Sequence, residues 1–380
     1  MTHGHQALIG LMSGTSMDGV DGVLARMGPD GQWLGVMAHA YEPFDEALRA
    51  ELLALNRSGP DELHRSAMAA QAISRAYASV THQLMDAAKS DPIAAIGAHG
   101  QTVRHRPELG YTLQLLAPAL LAELTGLDVV ADFRSRDVAA GGQGAPLVPI
   151  FHQAVFAHPD HAVAALNIGG IANVSLLAPS DAAQLQAPLG FDCGPGNVLM
   201  DLWCQRHRGQ PYDANGVWAQ SGQVQADWLA LALAEPYFAL PAPKSTGRDL
   251  FHSGWLDDWL RRCGVPDTPS ASQAADVQAT LCDLTALSCI QALETGIDEV
   301  LVCGGGALNG HLMNRLRLHA PAEVTVHDSS ARGLPPMQVE AAAFAWLAWA
   351  TLHRRAGNVP AVTGAAGPRV LGAVYPATTA

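Results

Sequence analysis

The order of apolar and polar positions in the first half of the chain predicts three strands followed by a long helix. Apolar segments separated by glycine-rich turns predict strands at Ala7–Met12, Val20–Met27 and Trp33–Tyr41. Between Glu62 and Ala88, apolar side chains recur at steps of three and four residues, which predicts a single helix with one apolar stripe. The stripe consists of Leu63, Ala67, Ala70, Ile73, Tyr77, Val80, Leu84 and Ala88.

The second half of the chain repeats the strand arrangement. The segment Ala162–Leu177 is an apolar strand, a turn of glycine and asparagine and a second apolar strand, and Leu8–Leu24 is built in the same way. These matching units predict an α/β protein with a duplicated domain, whose two turns face each other across a cleft. Further strands are predicted within residues 94–102 and 127–137, and close to the C-terminus.

The turn in "GLMSGTSMDGVD" is dense in small polar residues. Glycines let the backbone approach an anion, and hydroxyl groups add donors to the backbone amides, so the turn suits a phosphate group. Asp18 and Asp21 would repel that phosphate unless a divalent cation lay between them, which predicts Mg²⁺. The chain has no G-x-x-x-x-G-K-[ST] motif, and an ordinary polar hairpin is the alternative. The predicted donors and glycines are Gly10, Ser13, Gly14, Thr15, Ser16 and Gly19.

Two other glycine-rich turns are candidate contacts for a phosphate group or a nucleoside. The turn of "NIGGIANVS" joins two apolar strands and contributes Asn167, Gly169, Gly170, Asn173 and Ser175. In the second turn, the strand Val300–Cys303 runs into Gly304, Gly305 and Gly306, and a helix through Leu308, Leu312 and Leu316 follows. Such a turn lets a ribose or a flat ring lie on the backbone at a helix N-terminus. A simple tight turn is the alternative.

Asp192 is the candidate catalytic residue. It leaves a strand just before Gly194-Pro195-Gly196, and the pattern predicts a helix from about Asn197. A carboxylate close to helix N-terminal amides is suited to act as a general base. An aspartate that only caps the helix explains the same pattern equally well.

Polar loops supply candidate contacts for a ligand that carries a carboxylate. Arg134 is the best anion clamp among them, because a guanidinium binds a carboxylate with two hydrogen bonds. For Arg136, Lys244 and Arg248, a surface salt bridge is an equally good interpretation. The candidates are His99, Gln101, Thr102, Arg134, Asp137, Lys244 and Arg248.

Composition narrows the classes of function. The 380 residues include 22 Lys and Arg against 35 Asp and Glu, a formal charge of −13 without a dense basic cluster, so nucleic acid and anionic membrane are not expected partners. No stretch is apolar over the length of a membrane span, and the N-terminus lacks a signal-peptide pattern. The six cysteines show neither metal-site nor disulfide spacing. We therefore expect a cytoplasmic protein with reduced thiols.

Seven motifs occur together along the chain: "GLMSGTSMDGVD", "GAHGQT", "DFRSRDVAAGGQGAPLVP", "NIGGIANVS", "GFDCGPGN", "PKSTGRDLF" and "CGGGALN". In this order they resemble the 1,6-anhydro-N-acetylmuramic acid kinase family, bacterial enzymes of cell-wall recycling, over nearly the whole chain. The resemblance implies two related actin-like, hexokinase-like (ribonuclease-H-like) α/β domains around an ATP cleft. We expect the first domain at residues 1–134 and 346–380, and the second at residues 135–345.

The resemblance also implies roles for single residues, with ATP and Mg²⁺ as cofactors and a homodimer as the assembly. Asp192 is implied as the catalytic residue, and Asp18 and Asp21 are the expected metal ligands, directly or through water. The expected substrate contacts are His99, Gln101, Thr102, Arg134 and Glu340. The expected ATP contacts are Gly14, Thr15, Ser16, Met17, Asp18, Gly19, Val20, Asp21, Gly169, Gly170, Asn173, Gly304, Gly305, Gly306 and Asn309. Cys193 stands where the family pattern leads us to expect threonine.

The implied reaction opens 1,6-anhydro-N-acetylmuramic acid and phosphorylates O6, giving N-acetylmuramic acid 6-phosphate. Another sugar or acid kinase of the same fold is one alternative, and the "HGQT" and "GGQGAPLVP" loops argue against it. A non-enzymatic ATP-gated clamp is the other alternative. It would need a peptide-binding domain or a filament surface, and the sequence leaves no segment to supply either.

Overall fold

A computed structural model of the chain describes residues 5–14, 17–89, 91–180, 187–247, 249–293 and 295–377. The strands within these residues are β1 (Gln6–Met12), β2 (Gly19–Met27), β3 (Trp33–Pro43), β4 (Ile93–Ala98), β5 (Gln101–Arg106), β6 (Tyr111–Leu115), β7 (Val129–Ala131), β8 (Val163–Ile168), β9 (Ile171–Leu177), β10 (Leu189–Pro195), β11 (Glu299–Cys303), β12 (Thr325–Asp328) and β13 (Ala373–Tyr375). The helices are α1 (Glu46–Leu55), α2 (Glu62–Ala88), α3 (Pro118–Thr125), α4 (Ser135–Ala139), α5 (Val148–Phe156), α6 (Val198–Arg208), α7 (Val217–Ser221), α8 (Ala226–Leu233), α9 (Ser253–Arg262), α10 (Ala271–Gln291), α11 (Gly310–His319), α12 (Val339–Leu352) and α13 (Pro360–Thr363).

Two sheets share a five-stranded topology, to which the larger sheet adds β13, paired antiparallel with β7. The larger sheet has the order β13-β7-β4-β1-β2-β3, and the smaller one has the order β10-β9-β8-β11-β12. In each sheet three consecutive strands form an antiparallel meander, and two later strands continue in parallel from the first strand of that meander. This repeated topology confirms the predicted α/β class and the predicted duplication.

The chain divides into two compact units. The first unit contains the described residues up to Val155 together with those from Gln338 onward, and the second contains those from Phe156 to Met337. The domain boundaries expected from the sequence differ from this division at residues 135–155 and 338–345, which pack with the first unit. The N-terminal part of α12 belongs there because it lies directly against β1, β2 and β4.

Two glycines bring α12 onto the larger sheet. Gly10 lies in the middle of β1, and a Cβ there would overlap the carbonyl oxygen of Ala341. Gly97 lies beside it in β4, and its Cβ would overlap the carbonyl oxygen of Phe344. Only glycine leaves room for a helix backbone at these distances. The proposed role of Gly10 in binding an anion is therefore wrong, because helix packing occupies its free face.

Helix α2 has the predicted bounds, but its apolar stripe is shorter than predicted. Burial along α2 begins at Ala69 and continues to Ala88, whereas Leu63 is 90% exposed and Ala67 is also exposed. The first two turns of the helix therefore lie beyond the core. No disulfide joins any of the six cysteines in the described part of the chain. No helix within the described ranges is long and apolar enough to cross a membrane.

Candidate active site

The turn between β1 and β2 is attached to the core of the first unit at Ser13. This residue is buried, its Oγ lies 2.9 Å from Tyr77 Oη, and it donates a hydrogen bond to the carbonyl of Gly100 at 3.1 Å. The amide of Met17 donates to the carbonyl of Gly14 at 3.1 Å. The loop therefore starts from a fixed point on the sheet.

The predicted phosphate loop extends beyond this turn into a strand. Gly19, Val20 and Asp21 lie in β2, where Val20 is fully buried and therefore offers only its backbone to a ligand. A Cβ at Gly19 would lie 2.8 Å from Pro43 Cα, so the neighbouring strand β3 explains this glycine. The predicted contacts Thr15 and Ser16 lie outside the described residues.

The two predicted metal ligands each lie near a basic side chain. Asp18 Oδ1 lies 3.6 Å from Arg49 Nη2, and Asp21 Oδ1 lies 3.2 Å from His39 Nε2. Burial raises the pKa of Tyr41, and the charges of both aspartates raise it further, so both carboxylates lie near one phenol. Among the described residues, no cluster of three or more His, Cys, Asp or Glu side chains could hold a metal. A carboxylate pair nevertheless fits Mg²⁺, which often takes its remaining ligands from phosphate and water.

Arg134 is oriented by two hydrogen bonds within the first unit. Its Nε donates to His99 Nε2 at 3.0 Å, and its Nη1 donates to the carbonyl of Gly144 at 2.8 Å. Since Nε2 accepts, His99 is neutral, and burial together with the Arg134 charge holds its pKa well below 6.5. Burial lowers the pKa of Arg134 to about 10, although the charges of Glu340 and Asp137 oppose this. Of the predicted substrate contacts, His99, Arg134 and Glu340 are thus close together.

Asp137 shapes the loop that orients Arg134. It is fully buried, its Oδ2 accepts from the Gly144 amide at 2.8 Å, and its Oδ1 accepts from Asn358 Nδ2 at 2.6 Å and Thr363 Oγ1 at 2.8 Å. With both oxygens occupied by the protein, Asp137 does not pair with a ligand, and that prediction is wrong.

Gln101 and Thr102 lie in strand β5 of a two-stranded ribbon, and not in a loop as expected. Gln101 Nε2 donates to the carbonyl of Gly14 at 3.0 Å, which joins the ribbon to the predicted phosphate loop. Gln114 Nε2 donates to Thr102 Oγ1 at 3.1 Å. The side-chain oxygens of Gln101 and Gln114 are buried and have no hydrogen-bond partner in the described part of the chain. These acceptors are suited to the hydroxyl or amide groups of a sugar.

In the second unit, the turn at Gly169 and Gly170 lies against the start of α6. The amides of Gly196 and Val198 donate to the Gly170 carbonyl at 3.0 and 3.1 Å, and the amide of Asn197 donates to the Gly169 carbonyl at 2.8 Å. The turn carbonyls therefore satisfy the first amides of the helix. These three hydrogen bonds fix the turn against the start of α6.

Asp192 lies in β10 at the end of a polar row across three strands. It is paired with Asn173, which is paired with Asn167, and directly paired residues of antiparallel strands point to one face. Its Oδ2 accepts from Ser245 Oγ and from the Thr246 amide, each at 2.9 Å. Burial raises the pKa of Asp192, although these two hydrogen bonds oppose it. The helix-cap alternative is wrong, because these bonds are to the Ser245–Thr246 segment and not to α6.

Lys244 supports this segment from within the protein. Its Nζ donates to the carbonyls of Phe238 at 3.0 Å and Tyr237 at 3.3 Å, so it is neither an anion clamp nor a surface salt bridge. Tyr237 Oη in turn donates to the carbonyl of Asp192 at 2.7 Å. Sequence reasoning missed Tyr237 and Ser245 as partners of Asp192, since they lie 45 and 53 residues away. The hydroxyl residues of "PKSTGRD" were the sequence signal that could have identified Ser245. The predicted contact Arg248 lies outside the described residues.

Two of the three glycines after β11 are required by packing. Gly304 has a φ of 76°, and its Cβ would lie 2.9 Å from the Ile168 carbonyl oxygen. A Cβ at Gly306 would lie 2.5 Å from Ile168 Cβ. At Gly305, only Asn197 Nδ2 lies within 4 Å, at 3.7 Å. Gly305 is therefore the glycine with open space for a nucleoside.

The helix after these glycines begins later than predicted. A short 3₁₀ segment at Gly305–Leu308 precedes α11, and Leu308 is 60% exposed instead of buried. Asn309 is the N-cap residue, and its Oδ1 accepts from the Leu312 amide at 3.0 Å. The side-chain oxygen of this predicted ATP contact is therefore occupied by α11.

Comparisons with known proteins place the chain in a family. The sequence model of anhydro-N-acetylmuramic acid kinase matches residues 6–377. The anhydro-N-acetylmuramic acid kinase of Bordetella petrii is 60% identical, over 97% of this chain and 96% of its own. That of Variovorax paradoxus is 59% identical, over 98% and 99%.

Solved structures give weaker similarities. The activator of 2-hydroxyisocaproyl-CoA dehydratase from Clostridium difficile has a TM-score of 0.45 and 12% identity, covering 92% of this chain and 96% of its own. A ROK family glucokinase from Streptomyces griseus has a TM-score of 0.40 and 14% identity, covering 89% and 99%. The family assignment therefore rests on the full-length sequence matches. The chain belongs to the anhydro-N-acetylmuramic acid kinase family.

Proposed function

We propose that this protein uses ATP to open 1,6-anhydro-N-acetylmuramic acid and to phosphorylate its O6, which yields N-acetylmuramic acid 6-phosphate and ADP. Membership of the family supports the substrate and the reaction type. The observation that carries the proposal is the environment of Asp192, a partly buried carboxylate with a raised pKa and one oxygen held by hydrogen bonds. Such a carboxylate is suited to accept a proton near neutral pH.

The chemistry of the substrate explains why a base is needed. In a 1,6-anhydro sugar, O6 is bonded to C1, so there is no free 6-hydroxyl to phosphorylate. Water must attack C1 while Asp192 takes a proton from it, as the base does in an inverting glycosidase. The C1–O6 bond then breaks, and O6 forms its new bond to the γ-phosphoryl group as ADP leaves.

The phosphate loop of the first unit would bind ATP. We propose that Gly14 to Asp21 contact its phosphates, and that Gly169, Gly170, Asn173, Gly304, Gly305, Gly306 and Asn309 complete the nucleotide contacts. Asp18 and Asp21 would hold Mg²⁺, which neutralises charge on the transferring phosphoryl group. Arg134 would bind the carboxylate of the muramic acid, with His99, Gln101, Thr102 and Glu340 around the sugar. A homodimer and a cytoplasmic location remain predictions.

Labelled water tests the proposal directly. The protein is mixed with Mg-ATP and the anhydro sugar in ¹⁸O water, and the product is weighed by mass spectrometry. We expect the product to gain one phosphoryl group and one labelled oxygen. Asp192→Asn keeps the side-chain shape but removes the base, so turnover should fall on the order of 10²-fold or more while ATP still binds.

Other outcomes would identify the alternatives. A phosphorylated product without the label would indicate a kinase that acts on a free hydroxyl. ATP hydrolysis without any sugar product would favour an ATP-gated clamp. An Asp192→Asn protein with turnover close to that of the parent would exclude Asp192 as the base.

A further inference from the structure

The two carboxylate oxygens of Asp192 have different surroundings. Oδ2 accepts hydrogen bonds from Ser245 Oγ and from the Thr246 amide, each at 2.9 Å. No hydrogen bond to Oδ1 is present within the described residues. A carboxylate held in this way at one oxygen presents the other oxygen with a defined orientation.

A closed ring of contacts fixes the backbone around this carboxylate. The amide of Asp192 donates to the carbonyl of Lys244 at 3.0 Å. Lys244 Nζ donates to the carbonyl of Phe238 at 3.0 Å and lies 4.8 Å from the centre of the Tyr237 ring. Tyr237 Oη donates to the carbonyl of Asp192 at 2.7 Å and completes the ring. The amide of Asp192 is therefore held by the segment that also binds its side chain, and its carbonyl is held by Tyr237, whose ring lies beside Lys244.

The exposure of Ser245 argues that its hydroxyl has a role beyond folding. Ser245 is exposed, so its side chain contributes little to the core, and water could satisfy its hydroxyl equally well. Thr246 and Lys244 are partly buried and hold the segment in place without it. The hydroxyl nevertheless donates to Oδ2 of Asp192, whose Oδ1 accepts no hydrogen bond from the described residues.

We propose that the Lys244–Thr246 segment is a positioning device for Asp192, which holds Oδ2 and leaves Oδ1 as the oxygen that takes the proton from the attacking water. This inference rests on the proposed function. In that step the water proton goes to Oδ1, the water oxygen bonds to C1, and O6 leaves C1 for the γ-phosphoryl group. Ser245 and Thr246 are positioning residues, since they act through Asp192.

The surroundings of Asp192 predict how its charge responds to loss of Ser245. Burial raises the pKa of Asp192, and the hydrogen bonds from the Thr246 amide and from Ser245 Oγ lower it. Among the described residues, the other titratable groups near it are Tyr237, Cys193 and Lys244, which do not lose their contacts in a Ser245 variant. Removal of the hydroxyl should therefore raise the pKa of Asp192.

The test compares Ser245→Ala, Ser245→Thr and the parent protein in two measurements. The first is the Asp192 carboxyl pKa, from ¹³C NMR of aspartate-labelled protein with Asp192→Asn to assign the signal. The second is the pH profile of kcat/KM for the anhydro sugar. We expect Ser245→Ala to raise the carboxyl pKa and the acidic limb of the profile by about one pH unit, and Ser245→Thr to restore both.

Controls separate this inference from the proposed function. Ser221→Ala removes another exposed serine hydroxyl of the second unit, which donates to the Trp218 carbonyl, and should move neither value. An unchanged carboxyl pKa in Ser245→Ala would overturn the inference, even if the enzyme turns over normally. Parent protein that makes no phosphorylated sugar would overturn the proposed function, while the carboxyl pKa would still decide the role of Ser245.

Discussion

At the scale of single residues, the neighbours of Arg134 fix the orientation of its guanidinium. Its Nε donates to His99 and its Nη1 donates to the Gly144 carbonyl. The buried Asp137 accepts from the Gly144 amide and so holds this residue in place. The remaining donors of the guanidinium are thus aimed before any ligand binds. We propose that this fixed geometry suits Arg134 to the carboxylate of the sugar.

Arg134→Lys should impair recognition of the sugar carboxylate more than catalysis. A single ammonium cannot replace both fixed hydrogen bonds and still offer a planar pair of donors to a carboxylate. We expect the KM for 1,6-anhydro-N-acetylmuramic acid to rise by about tenfold or more, with a smaller change in kcat. Steady-state kinetics check this expectation.

A substrate without the carboxylate provides the matched control for Arg134. 1,6-Anhydro-N-acetylglucosamine lacks the lactyl group, so the parent protein should use it poorly, and Arg134→Lys should treat the two sugars more equally. If the variant kept the full preference of the parent for the muramic acid, Arg134 would not be the carboxylate contact.

At the scale of elements, the contact between α12 and the larger sheet depends on two positions. In Gly97→Ala the new Cβ would overlap the Phe344 carbonyl and lie 2.9 Å from Ala348 Cβ. The obstacle is helix backbone, which cannot turn away as a side chain can, so the free energy of unfolding should fall by about 3 kcal/mol or more. Urea unfolding measures this change.

Gly59→Ala is the matched control for this prediction. Only the Arg65 guanidinium lies within 4 Å of its new Cβ, at 3.2 Å, and that flexible end can move aside. We expect a change below about 1 kcal/mol. Similar unfolding midpoints for the two variants would contradict the close contact of α12 with β4.

Local elements could be predicted from the sequence, whereas the partners of the site residues could not. The strand pair of Ala162–Leu177 and the helix Glu62–Ala88 appear as predicted, because periodicity and turn residues act over short distances. Gly10 was misinterpreted because a glycine that admits a helix and a glycine that admits an anion look alike in sequence. The partners of Asp192 come from a segment some 50 residues away, which no spacing rule identifies.

At the scale of the whole molecule, the two units differ in how the chain builds them. The second unit is one continuous stretch from Phe156 to Met337, whereas the first needs the residues from Gln338 onward. We expect residues 156–337 to unfold cooperatively when produced alone, and residues 1–155 alone to lack a cooperative transition. Dispersed NMR amide spectra and calorimetry check both fragments, and a cooperative transition in residues 1–155 would contradict the expectation.

The late position of α12 has a consequence for synthesis on the ribosome. Strands β1 and β4 emerge early, but the helix that covers Gly10 and Gly97 follows more than two hundred residues later. The nascent chain must therefore carry an uncovered sheet face through most of its translation, and a chaperone that binds apolar surfaces has its target there. A stop codon after Met337 would delete none of the proposed nucleotide contacts, yet it would leave that face permanently open.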